Sequence, residues 1–434
     1  MTLWLYRLAF LPVLLLSAPY YLWRMRKRGG YGRHFGDRFG AIQRVPCKRP
    51  GSRRLWIQAV SVGELLAIGP LLERLAEKAD LEIVLTTTTS TGFKLAEERY
   101  ARLAIAIGYF PIDAWLFSAR AWKHIRPDLV VLAEGEWWPE HFAQARRRRV
   151  PILSINGRLS DRSFRRMRRL KGIIRALFGS VSHILASCEQ DRQRFCNVGF
   201  RPDQVTTTGN LKLDLTLPTP DPHEVEELRR TLGFPQRERV LLGSSTWPGE
   251  ERALIGALRA LRERGVASRL LLVPRHAERR GEIVPELERS GFTFHVRSKG
   301  PCQGVVDILL ADTTGELRRL TQVADLVFVG KSLPPHHEGQ TPIEAAAMGK
   351  PLLFGPVMSN FRPIARDLVA GNAARVVKSE QELVTAVVEL AENAPFRREM
   401  ADAAQRWHRA NLGALDRTVA FIGQQLASRD GRRV

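Results

Sequence analysis

Apolar and polar positions form two different patterns along this chain. Residues 3–23 are apolar, with Arg7 as the single charged side chain. From residue 54 onward, short aliphatic and β-branched runs alternate with segments of helical periodicity, which is typical of parallel sheets covered by helices. The predicted strands are 55–60, 81–86, 104–109, 129–133, 151–155 and 183–186 in the first half, and 240–243, 270–273, 307–310, 326–330 and 351–354 in the second half.

A proline-rich stretch at 217–222 divides the two series of strands. The length of 434 residues exceeds that of an ordinary single domain, and clustered prolines mark linkers. The pattern therefore predicts an α/β fold with two doubly wound, Rossmann-like domains, 29–216 and 223–411, followed by a C-terminal helix within 412–434. We expect the two domains to face each other across a cleft outside the carboxyl ends of their strands, where ligands bind.

The first 28 residues predict a membrane anchor. The apolar stretch of about 20 residues is near the minimum that spans a bilayer as a helix, and the basic cluster 24–28 follows it. By the positive-inside rule, that cluster keeps the body of the protein in the cytoplasm. A full span and a shallow interfacial helix both fit, because Arg7, Pro12 and Pro19 interrupt the stretch. A cleaved signal peptide fits less well, since its basic residues would precede the apolar run.

Composition indicates an anionic partner. Lys and Arg number 67 against 45 Asp and Glu, a formal net charge of +22, which favours nucleic acid, an acidic membrane surface or a phosphorylated substrate. The cysteines Cys47, Cys188, Cys196 and Cys302 are scattered without metal-ligand spacing. They therefore indicate neither a disulfide framework nor a zinc site, and a reducing cytoplasm fits best.

Charged residues follow the strands of the first half. Glu64 ends a Ser-Val-Gly-Glu turn that opens a helix, and it can act as a general base or only complement the helix dipole. Glu134 and Glu136 follow the strand 129–133, and alternation in an extended chain places both on the same side. Solvated acids are the alternative for this pair. Lys212 lies just before the linker, where it can face a developing negative charge.

Strand ends of the second half suit a nucleotide. Arg275 and His276 follow the strand 270–273, and the planar guanidinium of an arginine matches phosphate oxygens. The other strand ends carry Thr246, Thr314, Gly315, Glu316 and Lys331. Residues that can bind a phosphate recur at more strand ends than we expect by chance, although each segment alone also fits a polar loop.

The segment Thr341-Pro342-Ile343-Glu344 predicts a new helix. Thr341 fits the N-cap and Pro342 the first helical position, so the free amides of this turn would face a phosphate. Glu344 then accepts hydrogen bonds from ribose hydroxyls. The alternative is a capping box in which Glu344 only reaches back to the cap amide.

In combination, these motifs resemble the membrane-associated Kdo transferases, GT-B glycosyltransferases that attach 3-deoxy-D-manno-octulosonic acid (Kdo) to lipid A. The likeness extends over nearly the whole chain. Besides the anchor and the strand-end motifs, it includes the segments 36–40, 109–113, 134–139 and 156–160. The resemblance implies inversion at the anomeric carbon of CMP-Kdo by direct displacement, with Glu64 as the base and with Glu134 and Lys212 supporting the transition state.

The same resemblance implies the substrate contacts and the partners. The implied contacts are Val62, Gly63, Glu136, Thr246, Arg275, His276, Thr314, Gly315, Glu316, Lys331, Thr341, Pro342, Ile343 and Glu344. The implied partners are CMP-Kdo, a lipid A precursor and the anionic cytoplasmic surface of the inner membrane. No cofactor is implied, and no metal, because a monophosphate-linked donor has no diphosphate for Mg²⁺ to bridge. The C-terminal helix is expected to cross back to the first domain, as in other GT-B proteins.

The chain departs from the family pattern at two places. Gln58 stands where relatives usually carry His, and residues 337–341 read His-Glu-Gly-Gln-Thr where relatives carry Gly-Gly-His-Asn. The second departure affects the contacts that the loop from His336 to Thr341 would make with CMP. We expect the pocket to survive, because Thr341 can still cap the helix.

Two alternatives compete with this interpretation. A GT-B transferase or epimerase that uses a UDP-sugar would carry the same fold and many of the same strand-end residues. A membrane-tethered basic scaffold or nucleic-acid binder would account for the charge of +22 and would bind DNA or RNA with a strong salt dependence. That second alternative leaves the strand-end motifs unexplained, and the sequence shows no aromatic platform or recognition helix, so we expect no nucleic-acid partner.

Overall fold

The computed structural model describes residues 2–29, 34–42, 45–135, 137–214, 217 and 221–428. The chain divides into two compact units, Met1–Asp214 with Leu412–Val434, and Leu215–Asn411. Each unit is built on one parallel seven-stranded sheet. The predicted α/β class with two doubly wound domains is confirmed.

The first unit carries its sheet in the order β3-β2-β1-β4-β5-β6-β7. Its strands are β1 (Arg53–Gln58), β2 (Leu81–Thr87), β3 (Ala106–Tyr109), β4 (Leu129–Ala133), β5 (Ile152–Gly157), β6 (His183–Ala186) and β7 (Val205–Thr207). Its helices up to the linker are α1 (Thr2–Arg28), α2 (Val62–Ala76), α3 (Ser90–Tyr100), α4 (Trp115–Ile125), α5 (Pro139–Arg148), α6 (Asp161–Arg169), α7 (Lys171–Phe178) and α8 (Glu189–Asn197), with 3₁₀ turns at Phe35–Phe39 and Pro202–Gln204.

The second unit repeats this plan in the order β10-β11-β9-β8-β12-β13-β14. Its strands are β8 (Arg239–Thr246), β9 (Ser268–Pro274), β10 (Phe294–Val296), β11 (Ile308–Leu310), β12 (Leu326–Val329), β13 (Leu352–Phe354) and β14 (Ala374–Val376). Its helices are α9 (Pro222–Thr231), α10 (Glu250–Glu263), α11 (Arg280–Ser290), α12 (Leu317–Thr321), α13 (Ile343–Ala347), α14 (Arg362–Ala370), α15 (Glu380–Glu392) and α16 (Ala394–Ala410), with 3₁₀ turns at Ala277–Arg279 and Arg297–Lys299.

The strand orders give each sheet a switch point. In the first unit the chain starts at β1, moves outward to β3 and returns to the other side of β1 with β4. In the second unit the corresponding pair is β8 and β12. Open α/β sheets bind ligands at such a switch point, outside the carboxyl ends of the strands.

Both faces of each sheet are buried, which explains why the strands are apolar runs in the sequence. In β1, Trp56 packs into one core while Leu55 and Ile57 pack into another. Successive side chains of a strand point to opposite faces, so each face of the first sheet has its own hydrophobic core. Helices cover both faces, as expected for a parallel sheet.

All 11 predicted strands are present, with boundaries shifted by a few residues, and three further strands were missed. The missed strands are β7, β10 and β14, each of three residues and each at an edge of its sheet. Because these three strands are so short and lie at an edge, they lack the apolar run by which the others were predicted.

The two ends of the chain both belong to the first unit. Helix α1 has 27 residues, and the span Thr2–Lys27 is long and apolar enough to cross a membrane by length and composition. The last helix, α17 (Ala414–Ala427), packs against α2. Asp214 fixes its start by accepting hydrogen bonds from the backbone amides of Gly413 and Leu415.

Candidate active site

Glu64 lies in the first turn of α2, directly after the central strand β1. The N-cap Ser61 accepts a hydrogen bond from the Glu64 amide at 3.4 Å and donates one to Glu64 Oε1 at 3.1 Å. Glu64 Oε2 accepts from the Val60 amide at 2.8 Å. Glu64 therefore lies in the first turn, where it can complement the helix dipole as the alternative expected, and these hydrogen bonds fix the direction of its carboxylate. Val62 starts the helix and Gly63 is exposed beside it.

Partial burial changes the acidity of Glu64. Desolvation is the largest cause, and with the negative charge of Glu134 it raises the pKa of the Glu64 carboxyl above its ordinary value. The hydrogen bond from Val60 and the charge of Lys212 oppose that rise. A raised pKa makes a carboxylate a stronger base.

Glu134 and Lys212 form an ion pair at the ends of β4 and of the segment after β7. Lys212 Nζ lies 2.6 Å from Glu134 Oε1, and both side chains are about a quarter exposed. Asn156, at the end of β5, contacts the same oxygen with its Nδ2 at 3.5 Å. Its Oδ1 accepts from the Leu211 amide at 3.1 Å, which holds the Lys212 segment against the sheet.

Glu134 and Asn156 both have left-handed backbone conformations, with φ of 56° and 52°. Such values are uncommon for residues other than glycine and concentrate at functional sites. The prediction that Glu134 and Glu136 alternate in an extended strand is wrong for Glu134, which lies in a turn after β4. Glu136 lies outside the described residues.

Gln58, where the family pattern has His, is buried in the first sheet. Its Oε1 accepts from the Thr86 hydroxyl at 2.7 Å, and its Nε2 donates to the Thr88 hydroxyl at 3.1 Å. The amide therefore joins the ends of β1 and β2.

Trp247 brings together two of the predicted residues of the second unit. The Lys331 Nζ lies 4.1 Å from the centre of its ring, and the His276 ring packs edge-on at 5.5 Å. Lys331 also pairs with Glu338, at 3.2 Å between Nζ and Oε1. The His336 ring packs against the same indole, and its Nε2 donates a hydrogen bond to the Pro248 carbonyl oxygen at 2.9 Å. The loop in which the chain departs from the family pattern thus packs onto Lys331 and Trp247.

Arg275 and Thr246 differ in their exposure to solvent. Arg275 is exposed, and its guanidinium has no ion-pair or hydrogen-bond partner within the described part of the chain. Thr246 is fully buried, and among described residues its hydroxyl also has no partner. The Thr246 carbonyl accepts from the Arg275 amide at 3.2 Å and from Arg279 Nη1 at 3.1 Å. Thr246 therefore positions the Arg275 backbone, and its hydroxyl does not reach the surface.

Glu250 organises the loops around Lys331. This buried carboxylate, in the first turn of α10, accepts backbone hydrogen bonds from Trp247, Lys331, Ser332 and Leu333, each at 2.9 or 3.0 Å. It ties the end of β8 to the end of β12, the two strands that flank the switch point. Lys331 itself has a left-handed φ of 57°.

Gly330 and Gly339 allow the loops to approach each other closely. A Cβ on Gly330 would lie 2.4 Å from the Ser245 carbonyl oxygen, and one on Gly339, at φ 71°, would lie 2.3 Å from the Met358 sulfur. No larger residue fits at Gly330 without moving backbone.

The segment Thr314–Glu316 leads into α12. Thr314 and Gly315 are exposed. Glu316 accepts hydrogen bonds from Thr313 and, at 3.2 Å, from Arg297. Although burial opposes the change, these bonds lower the pKa of the Glu316 carboxyl.

Glu344 is held by Arg318 from α12. Arg318 Nε and Nη2 lie 3.1 Å and 3.0 Å from Glu344 Oε1. The helix α13 starts at Ile343, one residue later than predicted, with Pro342 as its N-cap. The Thr341 hydroxyl still accepts from the Ile343 amide at 3.3 Å. Pro342 and Ile343 are buried, so their side chains support the turn from below.

Sequence reasoning missed Asn156, Trp247 and Glu250 as parts of these two clusters. Asn156 and Trp247 lie at the end of a strand or directly after it, and Glu250 starts the helix that follows β8, so proximity to a strand end is the one signal that the sequence offered. Within the described residues, no three His, Cys, Asp or Glu side chains converge as a metal site would require.

Solved structures share the fold of this chain. The Anabaena protein Alr3699/HepE in complex with UDP aligns with 87% of this chain and 100% of its own, at 18% identity and a TM-score of 0.57. UDP-GlcNAc 2-epimerase from Neisseria meningitidis bound to UDP-GlcNAc aligns over 87% and 100%, at 14% identity and a TM-score of 0.56. At such identities the likeness concerns the fold alone, and the predicted GT-B class is confirmed.

Sequence relatives identify the family. The family described as 3-Deoxy-D-manno-octulosonic-acid transferase (kdotransferase) matches residues 33–215. The 3-deoxy-D-manno-octulosonic acid transferase of Bordetella pertussis is 34% identical over 93% of this chain and 95% of its own length. The one of Haemophilus influenzae is 29% identical over 96% and 94%. The chain therefore belongs to the 3-deoxy-D-manno-octulosonic acid transferases, and it is a glycosyltransferase that transfers Kdo.

Proposed function

We propose that this enzyme moves Kdo from CMP-Kdo to a lipid A precursor at the cytoplasmic face of the inner membrane, in lipopolysaccharide biosynthesis. The acceptor hydroxyl oxygen forms a bond to the anomeric carbon of Kdo. The bond from that carbon to the phosphate oxygen breaks, and its electron pair leaves with CMP. The hydroxyl proton passes to Glu64, and the anomeric configuration inverts.

The observation that carries this proposal is the environment of Glu64. Its carboxylate is half-shielded, oriented by Val60 and Ser61, and has a raised pKa. Each carboxylate oxygen has two lone pairs, so Glu64 can accept from a substrate hydroxyl while it caps α2. Its capping role and its catalytic role are therefore compatible. The capping bonds hold the base in a fixed position, which favours catalysis.

Glu134 and Lys212 tune this base. The negative charge of Glu134 strengthens Glu64 as a proton acceptor, and the ammonium group of Lys212 forms an ion pair with Glu134. In the proposal, Lys212 also faces the negative charge that develops as the bond to CMP breaks. Asn156 fixes the pair through its two hydrogen bonds.

The second unit holds the donor nucleotide in this proposal. The unpaired guanidinium of Arg275 binds the CMP phosphate, with His276 and Lys331 beside it on Trp247. Glu344 accepts from the ribose hydroxyls while Arg318 holds its other lone pairs. The Thr314–Glu316 loop and the Thr341 turn supply hydroxyls and amides at the same strand ends.

Charge stabilisation in this proposal comes from side chains. A donor with one phosphate has no diphosphate that a divalent cation would bridge, and a guanidinium or ammonium group can stabilise the leaving CMP directly. Arg275 and Lys331 are the cations we propose for that role. The proposal therefore expects activity without added metal.

An apolar groove in the first unit suits a lipid acceptor. It has a volume of about 450 Å³, and Gly135, the residue after Glu134 in sequence, is one of its lining residues. Its walls include Trp137, Trp138, Met167 and Ile174, with Arg158 and Arg166 at the side. A second groove of about 480 Å³ on α6 is lined by Arg162, Arg165, Arg166 and Arg169. An acylated and phosphorylated sugar matches this combination of apolar walls and guanidinium groups.

The first helix and its basic end support a membrane location. Helix α1 is apolar, and Arg24, Arg26 and Lys27 are exposed at its carboxyl end. Basic residues beside an apolar helix favour the anionic cytoplasmic surface. The inner membrane and its cytoplasmic face are the location we propose.

The decisive experiment combines purified enzyme, CMP-Kdo and a tetraacylated lipid A precursor. Mass spectrometry of the lipid should show the mass of one or more added Kdo residues, with EDTA present as well as absent. UDP-linked sugars should give no product under the same conditions. Turnover of a UDP-sugar without turnover of CMP-Kdo would contradict the proposal and favour the other GT-B chemistry.

A further inference from the structure

Two polar side chains attach the N-terminal helix to the body of the first unit. Arg7 Nε and Nη2 lie 2.9 Å from the two carboxylate oxygens of Glu140, a bidentate pair. Glu140 is completely buried, and Arg7 is only 20% exposed. One residue earlier, the Tyr6 hydroxyl donates to Asp113 Oδ2 at 2.7 Å. The single charge in the apolar stretch thus has a buried partner in the body.

The contact continues along one face of the helix. The partly shielded residues of α1 recur at helical spacing as far as residue 18, namely Thr2, Leu3, Tyr6, Arg7, Phe10, Leu14, Ser17 and Ala18. The partners of this face are α5 and α7. At 1.5 Å per residue, a face from residue 2 to residue 18 is about 24 Å long. The other faces are exposed and carry large apolar residues, such as Leu8, Leu15 and Trp23.

This contact is incompatible with a helix that crosses the bilayer away from the body. Arg7 and Met25 are separated by about 27 Å along a helix. If the basic carboxyl end of α1 stays at the membrane surface next to the body, a spanning helix places Arg7 in the opposite half of the bilayer. Glu140 would then be buried without its cation, which is strongly destabilising because the charge has neither water nor a partner.

We propose that α1 lies along the membrane surface, docked on α5 and α7, with its N-terminus on the same side of the membrane as the body of the enzyme. An isolated interfacial helix needs a polar face toward water. Helix α1 needs none, because the body covers the face that would otherwise be wet. This explains how a helix that is apolar on nearly all sides lies flat.

The lipid-facing surface then extends beyond α1. Trp115 and Leu116 of α4 are 48% and 66% exposed, and the Trp115 ring lies 5.8 Å from the Arg7 guanidinium. Leu170 and Ile173, at 44% and 46%, lie at the start of α7, the helix on which α1 packs. The arginines of α6 border this apolar surface. An anionic bilayer matches apolar residues ringed by guanidinium groups.

Sidedness of a label at the N-terminus tests the proposal. The four native cysteines are replaced by serine, and single cysteines are placed by Thr2→Cys in α1 or by Glu73→Cys on the exposed side of α2. Right-side-out spheroplasts and inverted vesicles are treated with a membrane-impermeant maleimide. The proposal predicts that both cysteines react in the same vesicle orientation. Reaction of the two in opposite orientations would overturn it. The comparison needs no substrate, so its outcome is independent of the transfer reaction proposed above.

A second pair of variants tests the ion pair itself. Arg7→Leu removes the charge and the link to Glu140 and leaves an uninterrupted apolar stretch, so we expect a cysteine at position 2 to become labelled from the opposite side. Lys94→Leu removes an exposed charge from α3 and should leave the labelling unchanged. Labelling that stays on the original side in the Arg7→Leu protein would contradict the role of the ion pair.

Discussion

The ammonium group of Lys212 lies 2.6 Å from the Glu134 carboxylate, and the two residues act on Glu64 with opposite signs. Glu134 raises the pKa of Glu64, and Lys212 lowers it. A general base works only when it is deprotonated, so the transfer rate should fall as the pH decreases through the pKa of Glu64. Because desolvation raises that pKa, the acid limb of the pH–rate profile should lie above the ordinary range of a glutamate.

Neutral variants of the two partners should move this limb in opposite directions. Glu134→Gln removes the negative charge, so the pKa of Glu64 falls and the limb moves to lower pH. Lys212→Met removes the positive charge, so the limb moves to higher pH. The measurement is kcat/KM for the lipid acceptor across the acid range. Shifts of the same sign in both variants would contradict the assignment of Glu64 as the titrating base.

We expect Glu338 to compete with the donor for Lys331. The carboxylate lies 3.2 Å from the Lys331 ammonium and is solvent-accessible. Glu338→Gln frees that cation, and loss of an exposed ion pair of this kind should tighten CMP binding about two- to fivefold, as measured by calorimetry. Glu399→Gln on α16 changes the net charge equally at an exposed position and serves as the control. Unchanged or weaker binding in the Glu338 variant would count against Lys331 as a phosphate ligand.

Glu250 holds the donor loops together. Replacement by Gln keeps one acceptor oxygen and turns an amide donor toward the two amides of Trp247 and Lys331, which leaves these donors unsatisfied. We expect a loss of about 3 kcal/mol in unfolding free energy and at least tenfold weaker CMP binding. Denaturant unfolding and calorimetry measure the two effects. Glu263→Gln, at the exposed end of the same helix, should change neither, and equal stability of both variants would refute the role of Glu250.

Asp113 makes the stability of the first unit pH-dependent. Burial raises the pKa of its carboxyl to about 7. The surrounding groups are Tyr6, the Glu140 carboxylate and His141, whose pKa burial lowers to about 3. A carboxyl with a raised folded-state pKa keeps its proton in the folded state where the unfolded chain has lost it. Its contribution is therefore complete below the unfolded pKa and is lost as the pH rises through 7.

Asp113→Asn removes that titration. The unfolding free energy of the native protein should fall between pH 5 and pH 8 more steeply than that of the variant, because the other titrating groups are common to both. Denaturant unfolding at the two pH values measures the difference. Identical pH slopes in the two proteins would contradict a raised pKa at Asp113.

The main architecture could be predicted from the sequence, because central strands of parallel sheets are buried on both faces and leave apolar runs such as Leu81–Thr87. The short edge strand Phe294–Val296 leaves none. The Ser-Val-Gly-Glu turn could also be predicted, because Ser61 and Glu64 are close in sequence and form hydrogen bonds with each other at the start of a helix.

Features that depend on the folded chain could not be predicted. The turn of Glu134 away from the strand follows from a left-handed φ that the Ser154 and Lys212 contacts stabilise. The salt bridge from Arg318 to Glu344 joins two short helices that are 26 residues apart in sequence. Arg7 and Glu140, which form an ion pair, are 133 residues apart in sequence. No local pattern encodes such partners.

Single-turnover transfer by Glu64→Gln tests the central claim most directly. Gln keeps an oxygen that can accept from the Val60 amide, so α2 should keep its cap, and CMP binding measured by calorimetry should stay within about twofold of the native value. Without the base, the rate of Kdo transfer should fall about 10²- to 10⁴-fold. A variant that binds CMP normally and transfers Kdo at more than half the native rate would show that Glu64 is not the base.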